Sequence, residues 1–333
     1  MSSPDAEKFQ TCAVSWRAGE PGRYCEADEV LNHVGFSGDG DPDTFAWVHI
    51  LVKDTEAVRT LLEDTADFQP VSIDDALSLR IRPGLEIRDD YIYYAVPARN
   101  GVAIGTPFYQ LAFFIRNTYL LTISHVESDV IKSCQERTVG HWAKRLPNGA
   151  ELSHLVLDAV VDDFFPALDD VYDRIEDLEA AVYTAVRADP KEAIELKREL
   201  LMLRKQISPL RDTLNAMLRR DLGLISHNAL ADLQDVYDHT LRVAESIDLG
   251  RDLLSTIMDA QLNIVSNRLN EVMRTLTVIS TLMMACGLIA GIYGMNFTNM
   301  PELHWKYGYP MALGAMFLSC LFIIWLFRRR KYI

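Results

Sequence analysis

Two stretches near the end of this 333-residue chain lack Asp, Glu, Lys and Arg altogether: Thr275 to Pro301 and Tyr307 to Phe327. Charged residues make up 24% of the whole chain, so gaps of this length exclude an ordinary water-facing surface there. As a helix, the second run would measure about 31 Å at about 1.5 Å per residue, matching a hydrocarbon core of about 30 Å. Both runs are expected to cross a bilayer. Cysteine is scarce too: Cys12, Cys25, Cys134, Cys286 and Cys320 are odd in number and lack CxxC spacing. This implies no disulfide framework. The eight histidines form no HxxxH or HExxH pattern, so a zinc centre is unsupported. No P-loop, dinucleotide fingerprint or GxSxG occurs, which argues against an ATP-driven pump or a hydrolase. Met1 to Glu29 has no apolar core and does not read as a signal peptide.

Charge supplies the orientation. Arg268 and Arg274 precede the first run, and Arg328, Arg329, Arg330 and Lys331 follow the second, whereas Met295 to Lys306 between them holds one Lys and one Glu. Both termini are therefore expected in the cytoplasm, with a tight external loop. Residues 1–274 carry 28 basic and 46 acidic side chains, a net charge of −18. Such a surface repels nucleic acid and anionic lipid and concentrates cations; it also simply keeps a domain soluble.

The part before the apolar runs divides in two. Residues 41–150 read as an α/β domain in which "FAWVHILV", "DDYIYYAVPA" and "YQLAFFIRNTYLLTISH" are β-rich, "TEAVRTLLE" is helical and Asn117 marks a hairpin turn. Residues 1–40 are left unassigned. Residues 151–229 read as long antiparallel helices broken near "ADPKE", where Pro190 suits a helix start. A third helical run spans residues 230–294, with Leu233, Val236, Tyr237, Leu241, Ala244 and Ile247 at three-to-four spacing and Gly250 its one weak point. It continues into the first apolar run without a break. The external loop is 295–306, the second span 307–327 and the basic tail 328–333.

Two helices cannot enclose a water-filled path, so conduction would require several copies of the chain. Met273, Ser280, Met284, Gly287 and Gly291 recur at intervals of seven, four, three and four, which places them on one narrow stripe. Small residues there permit close helix packing, and an ordinary packing seam would have the same spacing.

The stretch "GIYGMN", with Gly294, Met295 and Asn296, followed by "MPEL" and "YGYP", resembles the CorA family of divalent-cation channels. The similarity extends to "DVYDHT" (235–240), "SNRLNEVM" (266–273) and "PVSIDDALSL" (70–79). The resemblance implies a funnel-shaped homopentamer in the plasma membrane, an α/β cytoplasmic domain, a helical stalk and two C-terminal transmembrane helices. It implies passive influx of Mg²⁺, with Co²⁺ or Ni²⁺ also admitted. It assigns the selectivity filter to Gly294, Met295 and Asn296, and a cation-attracting loop acid to Glu302. Polar and apolar pore positions would be Asn270, Met273, Leu276 and Met284, and regulatory metal carboxylates Asp75, Asp235 and Asp259. Mg²⁺ sheds water reluctantly, and a ring of neutral amide oxygens suits a hydrated ion better than a carboxylate ring. Where the family commonly has Pro and Thr, this chain has Ala285 and Gly287, so a kink and a hydroxyl ring are missing.

Other motifs carry less. "DGDPDT" (39–44) starts like a calcium loop, but Thr44 stands where glycine is needed and Ile50 where the bidentate Glu belongs. "NFT" (296–298) is formally a glycosylation sequon, lying inside the filter motif. Two alternatives to a Mg²⁺ channel stand: a transporter of the same architecture for Zn²⁺ or another transition metal, and a non-conducting membrane-anchored scaffold or sensor.

Overall fold

The computed structural model describes residues 9–25, 43–99, 108–139, 142, 145–184, 190–219, 227–296, 300, 305–330 and 332. The chain forms two compact units, residues 1–255 and 256–333.

The first unit is built on one seven-stranded mixed sheet. Its strands are β1 (Phe9–Arg17), β2 (Arg23–Cys25), β3 (Thr44–Val52), β4 (Gly84–Ile87), β5 (Ile92–Arg99), β6 (Phe108–Ile115) and β7 (Tyr119–Ser124), in the order β2-β1-β3-β7-β6-β5-β4. β4 to β7 form an antiparallel meander, and β7 then pairs in parallel with β3, Val48 lying opposite Leu121. The turn at Asn117 is closed by the Arg116 amide, which donates to the Tyr119 carbonyl at 2.9 Å. Every residue of β5 and β7 is buried, because helices cover both faces of the sheet.

On one face lie α1 (Thr55–Thr65) and α2 (Pro70–Ala76), whose Val58, Leu62 and Ile73 meet Val48, Ile50, Tyr93, Phe114 and Leu121. Phe68 stacks on Phe114 there, with ring centres 4.2 Å apart. The opposite face carries the stacked pair Tyr94 and Phe113, 4.5 Å apart. α3 (Asp129–Thr138), α4 (Gly149–Asp162), α5 (Phe164–Tyr183) and α6 (Pro190–Arg219) complete the unit with the start of α7 (His227–Tyr293). α4 begins with a capping box: the Glu151 amide donates to Asn148 Oδ1 at 2.8 Å, and the Glu151 carboxylate accepts from the Asn148 amide. α8 (Gly308–Arg329) belongs to the second unit.

The structure extends the sequence expectations in three places. Part of the unassigned segment 1–40 joins the sheet, since β1 pairs with β3 over nine residues, from Phe9 opposite Val52 to Arg17 opposite Thr44. Two short helices, α2 and α3, lie within the α/β region, where only one helix was expected. The run beyond residue 150 breaks at Asp163, dividing α4 from α5.

In α7 the buried positions are Leu233, Val236, Thr240, Val243, Ile247, Gly250, Leu254 and Ile257, alternating three and four apart. This is a coiled-coil seam with a period near 3.5 residues. Tyr237, Leu241 and Ala244, expected in the apolar stripe, flank it and are only half-buried. Gly250 is not a weak point. A Cβ there would lie 3.4 Å from both methyl carbons of Leu200, so the glycine lets α7 pack close against α6. Beside it the Tyr172 hydroxyl donates to the Ser246 carbonyl at 2.7 Å, and Arg204 pairs with Asp248.

Candidate ion path and cation site

The later stretch of α7, within the second unit, reverses the burial pattern of the seam. Leu269, Met273, Leu276, Met284 and Leu288 are all exposed, Met284 to 73%. Apolar side chains at that density are stable only against lipid or other protein. α7 and α8 are each long and apolar enough to cross a membrane.

Asn270, Met273, Leu276, Ser280, Met284, Gly287 and Gly291 are exposed without exception. At about 100° per residue, Met273, Ser280, Met284, Gly287 and Gly291 fall within about 60° of one another; Leu276 lies just outside, and Asn270 about 40° to the other side. Val278, Thr281, Leu282, Ala285, Cys286, Ile289 and Tyr293 are partly covered. Their mean direction is about 165° from that stripe. Cys286 makes the contact with α8, its Sγ lying 3.4 Å from Cys320 Sγ. Within this unit α8 therefore takes the back of α7 and leaves the candidate stripe open.

Three nearby hydroxyls are satisfied by their own helix. Thr275, Thr277 and Thr281 donate to the carbonyls of Glu271, Met273 and Thr277 at 3.0, 2.7 and 2.7 Å. The hydroxyl of Ser280, on the stripe, has no hydrogen-bond partner among the described residues. The helix runs unbroken through Ala285, consistent with the absent proline. A Cβ on Gly287 or Gly291 would meet nothing within 4 Å, so the stripe is smooth there.

Gly294 closes the helix. Its amide donates to the Ala290 carbonyl at 2.9 Å, and the Met295 amide to the Ile292 carbonyl at 3.3 Å. A Cβ at Gly294 would stand 3.1 Å from the Ala290 oxygen, tighter than most such contacts, so a side chain there requires the carbonyl to give by a few tenths of an ångström. Asn296 follows, exposed, at the C-terminal end of a 67-residue helix. That end carries roughly half a negative charge, and a cation beside Asn296 is stabilised by it. Glu302, with Phe297 and Thr298 of the sequon and residues 39–42 of the calcium-loop mimic, lies outside the described residues.

The predicted regulatory carboxylates fall in different surroundings. Asp75 lies in the last turn of α2; its carboxylate is 3.7 Å from Arg82, and its carbonyl accepts from Gln110 at 2.6 Å. Asp259 is exposed on α7. Asp235 is exposed too, 3.7 Å from Nε2 of His239 one turn on. On the other side of that ring, Nδ1 lies 3.4 Å from the Asp158 carboxylate. Asp158, Asp162 and His239 offer ligand atoms all within 4.8 Å of one another. Desolvation and then the Asp158 charge raise the Asp162 pKa above the usual carboxylate value, offset in part by His239 and Arg137. Two repelling carboxylates beside an imidazole can hold a divalent cation, which would relieve the repulsion. Among the described residues no contact joins Asp75 to Asp235. Sequence reasoning missed Asp158, Asp162 and His239 because their spacing spans two helices; "DVYDHT" contained the histidine without singling it out.

Residues 42–329 match the family model described as "CorA-like Mg2+ transporter protein". The chain is 32% identical over 303 residues to the "Cobalt/magnesium transport protein CorA" of Thermotoga maritima, covering 88% of this chain and 85% of the relative. It is also 32% identical to the "Putative metal ion transporter YfjQ" of Bacillus subtilis, over 86% of this chain and 90% of that one. The complete structure of the CorA magnesium transporter from Methanocaldococcus jannaschii superposes with a TM-score of 0.77 at 20% identity, covering 97% of this chain and 98% of that one, a likeness of fold.

Proposed function

The chain belongs to the CorA-like Mg²⁺ transporter family, and from that premise we propose that it forms a passive path for Mg²⁺ whose mouth is built from Asn296 and whose opening is controlled by cytosolic divalent cations. It is a membrane protein with two C-terminal helices of transmembrane length, a divalent-metal transporter and not an enzyme. Co²⁺ or Ni²⁺ would share the path.

The observation that carries the reading is the exposed stripe from Met273 to Gly291, opposite the face that meets α8. A single hairpin leaves such a stripe to lipid, where Ser280 and bare glycine backbone gain nothing. A ring of identical chains, five by the resemblance, turns the same stripe into a lining. Met273, Leu276 and Met284 would be its apolar constrictions, which close by shedding water, and Asn270 its polar inner ring. At the outer end, amide oxygens and the helix terminus would hold a hydrated cation without stripping it. Glu302 would raise the cation concentration near the mouth.

For control, Asp75, Asp235 and Asp259 are proposed as cation-binding carboxylates. Asp158, Asp162 and His239 extend the group around Asp235. Bound cations would neutralise an acidic surface and hold neighbouring copies together; their loss would let like charges repel and free the long helix to move. The imidazole supports a second reading of this site, in which the controlling ion is a transition metal, since nitrogen ligands suit Co²⁺ or Zn²⁺ better than Mg²⁺.

The test is Mg²⁺ uptake into liposomes containing the full chain, followed with an internal fluorescent indicator. Asn296→Ala is expected to lower the rate about tenfold or more, equivalent to about 1.4 kcal/mol at the mouth. An unchanged rate would remove Asn296 from the path, and no flux through the unaltered chain would remove the path itself.

A further inference from the structure

We propose that Cys286 and Cys320 form an oxidisable dithiol inside the membrane, which closes to a disulfide by exchange with a small apolar disulfide and clamps α7 to α8. Their sulfur atoms lie 3.4 Å apart, on two helices and 34 positions apart in sequence. Disulfide sulfurs sit about 2.05 Å apart, so the pair must close by only about 1.4 Å. The chain has five cysteines, and the other three lie in the first unit, so these two are the thiols of the second. Both are partly covered, and neither is sealed inside a core.

Their depth selects the reagent. Each sits within a run free of charged residues, Thr275 to Pro301 or Tyr307 to Phe327. Charged thiols and thiol proteins of the aqueous phase do not reach sites within hydrocarbon, whereas an apolar disulfide RSSR dissolves there. One cysteine sulfur attacks RSSR, forming a mixed disulfide and releasing RSH with the cysteine's proton. The second cysteine sulfur then displaces the remaining RS group as RSH, forming the Cys286–Cys320 bond. Two S–H bonds and one S–S bond break, and one S–S and two S–H bonds form, so electrons and protons balance.

The consequence follows from helix geometry. Cys286 points away from the stripe of Met273, Ser280, Met284, Gly287 and Gly291, towards α8. A covalent link at the back of α7 leaves the lining chemically unchanged and removes rotation and sliding of α7 against α8. If α7 must move to open the path, the linked protein is held shut. This consequence rests on the transport reading above; formation of the bond does not.

The experiment treats the full chain in liposomes with 4,4′-dithiodipyridine and reads two signals. Mass spectrometry is expected to find a peptide joining Cys286 to Cys320 within one chain, with two pyridinethiones released for the pair. In Cys286→Ser the remaining Cys320 should instead retain one pyridylthio group. Mg²⁺ uptake should fall several-fold in the oxidised parent chain, recover with a membrane-permeant phosphine, and stay unchanged in Cys286→Ser and Cys320→Ser. Stable pyridylthio adducts on both cysteines, unreacted thiols, or links between chains would overturn the dithiol. A bond that forms without altering flux would overturn the clamp. A bond that forms in a protein with no flux before or after oxidation would refute the transport reading and leave the dithiol established.

Discussion

The two stretches of α7 solve opposite problems with one helix. From Leu233 to Leu254 its buried positions, five apolar side chains with Thr240 and Gly250 among them, form a seam that other helices of the same unit cover. From Thr256 to Tyr293 the helix belongs to the other unit, and Met273, Leu276, Met284 and Leu288 stand open. Geometry is shared, so the difference lies in what each surface is matched to: chain in the first case, lipid and further copies in the second. Burial within one chain is thus a poor guide to whether a residue is solvated by water.

Leucine-to-lysine exchanges at two exposed positions separate the stretches most strongly. Leu288→Lys should cost about 3 kcal/mol in membrane insertion, while Leu249→Lys, on the polar side of the seam, should change stability by less than about 0.5 kcal/mol. Carbonate extraction of membranes and thermal unfolding measure the two. If Leu288→Lys inserts normally, the second stretch is not lipid-facing at that position.

Acid separates them next. His49 is buried on β3, its Nδ1 3.0 Å from Thr122 Oγ1, and desolvation holds its pKa down at about 4. The unfolded chain protonates this ring near pH 6.5 while the folded one does not, so its contribution is complete above that value. It is lost as the pH falls from about 6.5 towards about 4, in total about 3 kcal/mol. His49→Gln should flatten the dependence of the first unit's unfolding temperature over that window. The stretch from Thr275 to Met300 contains no Asp, Glu, Lys, Arg or His and offers no such handle.

Glycine gives a smaller contrast. Gly250→Leu must force its side chain into Leu200 and should destabilise the first unit by about 2 kcal/mol. Gly287→Leu meets open space and should leave unfolding unchanged while reducing flux. Equal destabilisation by both would mean that the open face of Gly287 is filled in the assembled protein.

The mildest change is Asp162→Asn. Because the folded protein raises this carboxyl's pKa, its ionised form opposes folding, an effect absent at low pH, growing as pH rises through the carboxylate range and constant above. The amide should therefore raise the melting temperature slightly in a chelator at neutral pH, and shrink the further rise produced by Mg²⁺ or Co²⁺. An undiminished metal response would exclude Asp162 as a ligand.

The sequence made the membrane hairpin and the long helix legible because they are one-dimensional signals: missing charge, and periodicity sustained over many turns. The sheet centre was legible through its β-branched and aromatic runs. β1 was not, because "FQTCAVSW" alternates small and polar residues and gains its place only by pairing with β3. Gly250 was misjudged for a related reason: a glycine looks permissive until Leu200 lies against it. The group of Asp158, Asp162 and His239 joins α4 to α7, and no spacing along the chain announces such a meeting.

The parallel pairing of β3 with β7 has a consequence for synthesis. β3 pairs with the central strand β7, which ends at Ser124, so the sheet cannot close until the whole meander has left the ribosome. Everything needed for that closure precedes Thr275. The first unit can thus be finished before the first uncharged run emerges, and the segments most prone to aggregate follow it, next to the membrane that receives them.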